Sequence, residues 1–316
     1  MKKIRVGVIG LGAIGERLIK GFTAHEKTAV MAVVDTNSSR AKEVAGKLGG
    51  ISWYNNHLEM LEQQALDIVY VAVPPKFHHK IVLDVIEKGI HVLCEKPLAN
   101  SVSEAREMME RAETAGIIHA MNFPLNYSPE VFTLEKLLKD KYIGDLRRVE
   151  LTMHFPEWPR PWQRNEWVGE REQGGFVLEV GVHFIQLTNR LFGNITYLHS
   201  QLELPENREK CETGVIANLE ICDGTPFTIN GISKIAGEER IAYTIYGTEG
   251  TLSLVNWSQL EGGKLGEKIE PIQAETSGNM TLISSLVHAI EGMPAEIFNF
   301  KVGYDAQLVL EKVREN

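Results

Sequence analysis

A glycine-rich turn directly after an apolar run is the feature that most constrains the fold of this chain. The turn, GLGAIG at residues 10–15, follows the run IRVGVI and opens an amphipathic helix candidate. In this context Gly10 permits the tight turn, Gly12 lets the backbone approach a pyrophosphate, and Gly15 packs helix against strand. The N–H groups at the start of the helix favour a phosphate. We therefore predict that Gly10, Gly12, Ala13, Ile14 and Gly15 bind one.

A carboxylate at the end of the second apolar run completes a dinucleotide-binding pattern. Asp35 ends the run AVMAVVD, 20 residues after Gly15, where a carboxylate can hydrogen-bond an adenosine ribose. Its charge repels a 2′-phosphate, so we expect NAD in preference to NADP. Arg40 follows a few residues later and either contacts the cofactor, as a phosphate of NADP would require, or lies on the helix surface. NADP stays the alternative.

Strand and helix candidates alternate over residues 1–121. The strand candidates are IRVGVIG, AVMAVVD, DIVYVAV, HVLCE and IIHAMN, and the helix candidates are Ile14–Ala24, Ser39–Leu48, His78–Lys88 and Ser103–Ala115. This alternation is typical of βαβ units. We predict an α/β Rossmann domain with a doubly wound parallel sheet over residues 1–121.

The pattern changes after Pro129 to one typical of an α+β domain. A helix candidate at Glu130–Lys139 and a strand candidate at Leu146–Phe155 come first. Further on, ITYLHSQLEL, TGVIANLEI, PFTINGISK, RIAYTIYG and TLSLV are strand candidates, and Asn279–Glu291 and Gly303–Arg314 are helix candidates. Strands joined by short turns predict a largely antiparallel sheet. Residues 122–316 are assigned to a substrate and oligomerisation domain, and the helix at about 303–314 is expected to pack back on the first domain.

The charge and composition of the chain exclude several classes of partner. A formal net charge of −9 over 316 residues, with no basic block, argues against nucleic acid. No apolar stretch is long enough to cross a bilayer, so we expect no membrane association. Three cysteines without CxxC spacing suggest a reducing compartment and no cysteine zinc site. We expect a cytoplasmic protein.

Polar side chains follow the third and fourth strand candidates of the first domain. Pro74 and His78 come after the third, and Glu95 and Lys96 come directly after HVLC. Ligands of an open parallel sheet bind beyond the carboxyl ends of its strands, so these four are predicted to bind the cofactor. A surface Glu–Lys pair is the alternative for Glu95 and Lys96.

A polar stripe runs along an otherwise apolar helix candidate that begins after Gly174-Gly175 and reaches about Phe192. Glu179, His183, Gln186 and Arg190 are spaced four, three and four apart, which puts them on one face. Three interpretations stay open: a solvent-facing side, a metal site at Glu179 and His183 without an evident third ligand, or a cleft in which Glu179 holds His183 as a proton donor and acceptor.

An irregular stretch rich in tryptophan and proline, EWPRPWQRNEWVGE, precedes this helix. Trp158, Trp162 and Trp167 are predicted to form a wall of the substrate pocket, or alternatively an oligomer interface. Arg160 or Arg164 can contact an oxygen-rich substrate. The substrate-binding candidates are Asn122, Asn126, Trp162, Arg164 and His183.

Taken together, these segments resemble the glucose-fructose oxidoreductase / inositol dehydrogenase / rhizopine catabolism (Gfo/Idh/MocA) family. The resemblance is carried by VGVIGLGAIG, VVDTNSSRA, VAVPPKFHH, HVLCEKPLA, GGFVLEVGVHFIQL and YGTEGTLSL. It implies a Rossmann domain followed by a large, open, mostly antiparallel sheet, and hydride transfer between nicotinamide and a hydroxyl-bearing carbon of a sugar, polyol or related small molecule. It also implies that Lys96 contacts the reacting hydroxyl, that Pro97 follows a cis peptide, and that His183 exchanges the proton.

Three residues depart from the family pattern. Glu179 stands where the family usually has aspartate, Gln186 where aspartate is frequent, and Asn126 where arginine is frequent. The expected catalytic residues are Lys96, His183 and Glu179, without a metal. The alternatives are an NAD-assisted glycoside hydrolase and a non-catalytic dinucleotide-binding sensor. The open sheet is expected to form a homodimer or homotetramer, because its second face needs a partner.

Overall fold

A computed structural model describes residues 3–163, 165–275 and 280–315. The chain divides into two compact units. The first comprises Met1–Asn122 and Met280–Tyr304, and the second comprises Phe123–Asn279 and Asp305–Asn316. Residues 280–304 thus cluster with the first unit, although the sequence-based assignment put them in the second domain. The assignment of functional domains stays a prediction.

The first unit contains a parallel sheet of six strands in the order β3-β2-β1-β4-β5-β6. The strands are β1 Ile4–Ile9, β2 Thr28–Val34, β3 Ser52–Tyr54, β4 Ile68–Val71, β5 His91–Cys94 and β6 His119–Met121. Every residue of β4 is buried, as expected when helices cover both faces of a sheet. The predicted Rossmann fold is confirmed.

Five helices connect these strands: α1 Ala13–Ala24, α2 Ser38–Lys47, α3 His57–Gln63, α4 His78–Glu87 and α5 Val102–Ala115. Side-chain caps mark several starts, since Asn37 accepts a hydrogen bond from the N–H of Arg40 and Ser101 accepts one from that of Glu104. Such caps satisfy N–H groups that have no partner inside the helix.

Two short elements of the first unit were not predicted. Strand β3 has three residues and helix α3 has seven, so neither shows a full hydrophobic period. Pairing of β3 with β2 and the cap of Asn56 on the N–H of Leu58 define them instead.

The second unit contains a sheet of eight strands in the order β14-β13-β12-β11-β7-β10-β9-β8. The strands are β7 Leu146–Phe155, β8 Ile195–Glu203, β9 Gly214–Ile221, β10 Pro226–Ser233, β11 Arg240–Gly247, β12 Gly250–Val255, β13 Gln259–Lys264 and β14 Glu270–Pro271. All neighbours are antiparallel except β7 and β10. The predicted open, mostly antiparallel sheet is confirmed, and β13 and β14 extend it beyond the predicted strands.

Two helices of the second unit follow the predicted segments, namely α6 Pro129–Lys139 and α7 Val182–Phe192. A π-helical segment at Val177–Gly181, here called the wide turn, leads into α7. Wide turns of this type are rare and recur at functional sites. Helix α7 is buried over most of its length, and because His183 and Gln186 are among its buried residues, these two members of the polar stripe do not lie on a solvent-facing side.

The C-terminal helices are α8 Leu282–Ile290 and α9 Phe300–Arg314. The predicted start of the first at Asn279 lies outside the described residues. In the first unit, the N–H of Phe300 donates to Nδ1 of His119 at 3.1 Å, and Tyr304 accepts from Arg106 at 3.0 Å. The later part of α9 belongs to the second unit, where the carbonyl of Val313 accepts from Ser200 at 3.1 Å. Within the described ranges, no helix combines the length and hydropathy of a membrane span.

Candidate active site

Two glycines of the turn after β1 are required by packing. Gly10 has φ +93°, and a Cβ on it would lie 2.3 Å from the carbonyl oxygen of Ala72. A Cβ on Gly15 would lie 2.2 Å from the carbonyl oxygen of Gly10. Helix α1 can therefore start this close to the sheet only without side chains at both positions.

Gly12 is different, because a Cβ there would meet no atom within 4 Å. It precedes Ala13 and Ile14 at the start of α1, and no side chain caps this helix end. The strand order reverses between β1 and β4, which is where nucleotides bind in sheets of this kind. An open glycine beside uncapped N–H groups is a cradle that fits the pyrophosphate of a dinucleotide.

Asp35 lies against this cradle. Its Oδ2 accepts a hydrogen bond from the N–H of Leu11 at 3.0 Å, and its Oδ1 accepts one from the N–H of Asn37 at 2.8 Å. Each carboxylate oxygen keeps a lone pair for a ribose hydroxyl. The residue predicted to select NAD is thus beside the glycine turn.

Arg40 also reaches the turn from α2. Its Nε donates to the carbonyl of Leu11, and its Nη2 lies 2.9 Å from Oε1 of Glu16. The side chain is 42% exposed. Arg40 thus lies at the surface and at the rim of the cradle, and its contact with a cofactor stays a prediction.

His78 connects the segments that follow β4 and β5. Its ring nitrogens lie 2.8 Å from the carbonyl oxygen of Val73 and 2.9 Å from that of Pro97. Burial lowers the pKa of His78, although these hydrogen bonds oppose the shift. The side chain has no exposed surface, so we expect it to act on a cofactor through these two segments. Pro74 lies between Val73 and the short helical turn that precedes His78.

Glu95 lies in a buried hydrogen-bond network that the sequence did not indicate. Its carboxylate accepts hydrogen bonds from the hydroxyl of Tyr70 and from Nδ2 of Asn122. Burial raises its pKa, and the two hydrogen bonds oppose the shift. The alternative of a surface Glu–Lys pair is therefore wrong for Glu95. Oδ1 of Asn122 is buried and has no hydrogen-bond partner among the described residues, so it can accept one from a ligand.

Lys96 directly follows this network and is half-buried. Its backbone N–H lies 3.4 Å from Oε2 of Glu95, and the Lys96–Pro97 peptide is cis. The segment that the family resemblance singled out thus has the expected backbone form.

In the second unit, a buried turn starts the helix that carries the polar stripe. Gly175 has φ +98°, and a Cβ on it would lie 2.3 Å from the carboxylate of Glu212. Glu212 accepts a hydrogen bond from the N–H of Val177 at 2.8 Å. Burial raises the pKa of Glu212, and Arg314 opposes the shift. This turn fixes where the wide turn begins, and hence the position of Glu179 within it.

His183 lies on α7 between two aromatic rings. Its ring centroid is 5.8 Å from that of Phe123 and 5.3 Å from that of Trp257, and both rings are nearly perpendicular to the imidazole. His183 is only 6% exposed. Sequence reasoning missed both aromatic residues, because neither shares a motif with the histidine.

Asn126 and Gln186, two of the residues that depart from the family pattern, contact each other. Nδ2 of Asn126 donates to Oε1 of Gln186 at 2.6 Å, and Oδ1 of Asn126 accepts from Arg190 at 3.0 Å. Arg190 is also paired with Glu135 at 2.7 Å. Nε2 of Gln186 is buried and has no hydrogen-bond partner in the described part of the chain. Gln186 and Arg190 of the stripe thus belong to a largely buried polar network with a spare amide donor.

The aromatic stretch is divided between core and surface. Trp158 is buried against Phe155 and Phe176, so it belongs to the core and its predicted place in a pocket wall is wrong. Trp162 is 59% exposed. Arg160 binds the carboxylate of Glu239 through Nε and Nη2 at 2.9 Å each. The guanidinium of Arg160 is therefore already paired with a carboxylate. Arg164, the other predicted contact, lies outside the described residues.

The structure brings no group of three His, Cys, Asp or Glu side chains into a metal-binding arrangement within residues 3–163, 165–275 and 280–315. The candidate site residues described above offer other chemistry. An imidazole can exchange a proton, amides can form hydrogen bonds, and a lysine can stabilise a negative charge.

Sequence comparison identifies both units. The family described as "Oxidoreductase family, NAD-binding Rossmann fold" (GFO_IDH_MocA) matches residues 4–123, and the "GFO/IDH/MocA C-terminal domain" matches residues 131–253. Together the two matches cover most of the chain.

Individual relatives agree with this assignment. The dTDP-3,4-didehydro-2,6-dideoxy-alpha-D-glucose 3-reductase of Streptomyces antibioticus is 28% identical, and the alignment covers 80% of this chain and 75% of that protein. Trans-1,2-dihydrobenzene-1,2-diol dehydrogenase of Homo sapiens is 26% identical, with 84% and 79% covered.

A solved structure shares the fold. The WlbA dehydrogenase from Bordetella pertussis, in complex with NADH and UDP-GlcNAcA, has a TM-score of 0.85 at 18% identity, with 99% of this chain and 96% of that chain covered. The family matches span both units, and the glycine cradle and Asp35 fit the cofactor that the first match names. The chain belongs to the Gfo/Idh/MocA family of NAD(P)-dependent oxidoreductases.

Proposed function

We propose that this oxidoreductase transfers a hydride between NAD and a hydroxyl-bearing carbon of a sugar, polyol or related small molecule. The observation that carries the proposal is the cradle at Gly10–Gly15, whose open face at Gly12 lies beside the carboxylate of Asp35. Bound NAD supplies the hydride acceptor or donor.

His183 is proposed to exchange the proton of the substrate hydroxyl. A histidine suits this role because its ordinary pKa is near neutrality. Glu179, which precedes it in the wide turn, is proposed to orient the imidazole. Lys96 is proposed to stabilise the charge that develops on the substrate oxygen.

A polyhydroxylated substrate is supported by two lines of argument. The relative from Streptomyces antibioticus is named for reduction of a nucleotide-linked sugar, and the human relative for oxidation of a diol. In this chain, buried Oδ1 of Asn122 and Nε2 of Gln186 have no hydrogen-bond partner among the described residues. An unsatisfied buried polar group costs about 1–3 kcal/mol, which a substrate with several hydroxyls or a cofactor amide would relieve. We also propose that Trp162 and Asn126 contact the substrate.

The proposal is tested by offering the protein a panel of sugars, polyols and their keto forms. Turnover is measured as the change in nicotinamide absorbance, with NAD and with NADP separately. On the best substrate, His183→Ala and Lys96→Ala should each lower turnover at least about 100-fold, because a positioned acid/base group contributes about 10²–10⁴. The affinity of His183→Ala for NADH, measured by fluorescence titration, should stay within twofold of wild type, because His183 is not among the residues predicted to bind the cofactor.

Near-native turnover in either variant would reject the assigned roles. Cleavage of a glycosidic bond without net NADH would favour the hydrolase, and NADH binding without turnover on any member of the panel would favour the sensor.

We also propose a homodimer or homotetramer formed through the outward face of the eight-stranded sheet. Strands β9 and β10 alternate buried and exposed residues, and the outward side chains of Leu198 and Ile216 are 55% and 59% exposed. Ile216→Lys should shift the mass found by light scattering toward the monomer, whereas a monomeric wild type would contradict the proposal.

We further propose a cytoplasmic location, which the cysteine usage supports.

A further inference from the structure

The connection between β12 and β13 contains two consecutive residues in the left-handed region. Asn256 has φ +45° and Trp257 has φ +74°, and the N–H of Ser258 donates to the carbonyl of Val255 at 3.3 Å. Turns with positive φ at both central residues favour Asn-Gly. Asparagine at the first position follows that preference, but tryptophan at the second does not. The backbone at Trp257 is therefore strained.

Asn256 holds this turn in place. Its N–H donates to the carbonyl of Ile241 at 2.8 Å, and its Oδ1 accepts a hydrogen bond from the N–H of Ile241 at 2.9 Å. This reciprocal pair ties the turn to the start of β11. Strained conformations persist when surrounding contacts fix them in this way.

The ring of Trp257 packs against the histidine that the proposed function makes the proton donor and acceptor. Its centroid is 5.3 Å from that of His183, with the two ring planes at 89°, and 5.4 Å from that of Phe184. Phe123 flanks the imidazole as well, at 5.8 Å. His183 is thereby held between two aromatic side chains from distant parts of the chain, one of them delivered by the strained turn.

We propose that Trp257 is a positioning residue, whose aromatic ring, presented by the strained turn, fixes the orientation of the His183 imidazole. This inference rests on the proposed function, since it acts through His183. The left-handed backbone at Trp257 is an outlier for a bulky side chain and is held by surrounding contacts, which motivates a role for the ring beyond filling space. Trp257 is half-buried, so truncation leaves the sheet and α7 without a large internal cavity.

The test compares Trp257→Gly and Trp257→Phe on the best substrate of the panel. Glycine removes the ring and the strain together, so we expect kcat to fall at least tenfold with KM within twofold and the melting temperature within about 5 °C of wild type. Phenylalanine keeps a ring in the same strained turn, so kcat should recover to within about threefold of wild type.

Lys141→Gly is the matched control. Lys141 is exposed and has φ +57°, so glycine there also relieves a left-handed residue without touching His183. Its kcat and KM should equal those of wild type.

Three outcomes would overturn the inference. In the first, Trp257→Gly keeps kcat within twofold. In the second, KM rises while kcat holds, which makes the indole a substrate contact. In the third, Trp257→Phe is as slow as Trp257→Gly although both melt like wild type. If Trp257→Gly melts far below wild type, Trp257→Leu, which keeps an apolar side chain without a ring, takes its place, and a kcat within twofold of wild type in that variant overturns the inference. His183→Ala separates the two proposals: normal turnover there defeats the proposed function, whereas lost turnover there with normal Trp257→Gly defeats only this inference.

Discussion

Asp35 has one observed role and one predicted role in the first unit. Its carboxylate accepts hydrogen bonds from the N–H groups of Leu11 and Asn37, so it shapes the glycine turn as well as facing the place expected for a ribose. Arg40 lies nearby, with its guanidinium at Glu16 and at the carbonyl of Leu11. We therefore expect the preference between NAD and NADP to depend on a small set of charges around this turn.

Asp35→Asn should shift the preference toward NADP. The amide keeps a carbonyl oxygen for one backbone N–H but no longer repels a 2′-phosphate, and loss of one such repulsion is worth at least about tenfold. The measurement is the ratio of kcat/KM for NADP to that for NAD. Arg40→Ala in the Asp35→Asn background should reverse part of the gain, since the guanidinium is the nearby cation. An unchanged ratio would show that Asp35 does not select the cofactor.

Glycine turns act at the level of the element in both units, but for different reasons. The turn before α1 leaves Gly12 facing open space, whereas the turn before the wide turn puts Gly175 against the carboxylate of Glu212. We therefore expect the first turn to serve a ligand, whereas the second serves packing. The wide turn that follows Gly175 changes the helical spacing on which the predicted stacking of Glu179 and His183 was based.

Gly12→Ala and Gly175→Ala should accordingly have opposite effects. At Gly12, φ is −64° and no atom is within reach of the added methyl, so the melting temperature should hold while the Kd for NADH rises at least tenfold. At Gly175, φ is +98°, so alanine should lower the free energy of unfolding by at least about 1 kcal/mol. Thermal unfolding and NADH titration of both variants check this. Equal melting temperatures for the two would contradict the packing argument.

At the scale of the whole molecule, the C-terminal part of the chain completes the first unit. The N–H of Phe300 donates to Nδ1 of His119, and the two rings lie 4.9 Å apart. Met121 adds a backbone hydrogen bond to the carbonyl of Phe298 at 2.7 Å. Residues far apart in sequence thus share one core, and a histidine acting as acceptor is part of that connection.

His119 should make the stability of the protein depend on pH. Burial lowers its pKa below the ordinary value of 6.5, and Glu113 opposes the shift. The unfolded chain therefore binds this proton at a higher pH than the folded one, so the contribution is present above pH 6.5 and is lost as the pH falls from there through the folded pKa. Protonation also removes the lone pair that accepts from Phe300.

His119→Asn keeps an acceptor but does not titrate, so its melting temperature should fall less than that of wild type between pH 8 and pH 5. The raised pKa of buried Glu95 has the opposite sign, because ionisation of that group lowers stability as the pH rises. Glu95 is present in both proteins, so their difference isolates His119. Parallel curves for the two proteins would contradict the prediction.

The sequence by itself determined the features that depend on local pattern. Strand–turn–helix spacing identified the cradle at Gly10–Gly15 and the carboxylate of Asp35, because a phosphate site of this type is built from neighbouring residues. Hydrophobic periodicity located the long elements, including β7 at the residues predicted. The short β3 and α3 were not predicted, because three strand residues and seven helical residues are too few to show a hydrophobic period.

Only the tertiary structure decided which distant residues meet. The contacts of Asn126 with Gln186, of Tyr70 with Glu95 and of Trp257 with His183 join residues that are 60, 25 and 74 positions apart in the sequence. Such contacts depend on strand order and helix packing, which no local spacing encodes. Chain pattern therefore defined what each segment can do, while packing selected the partners that hold its side chains in place.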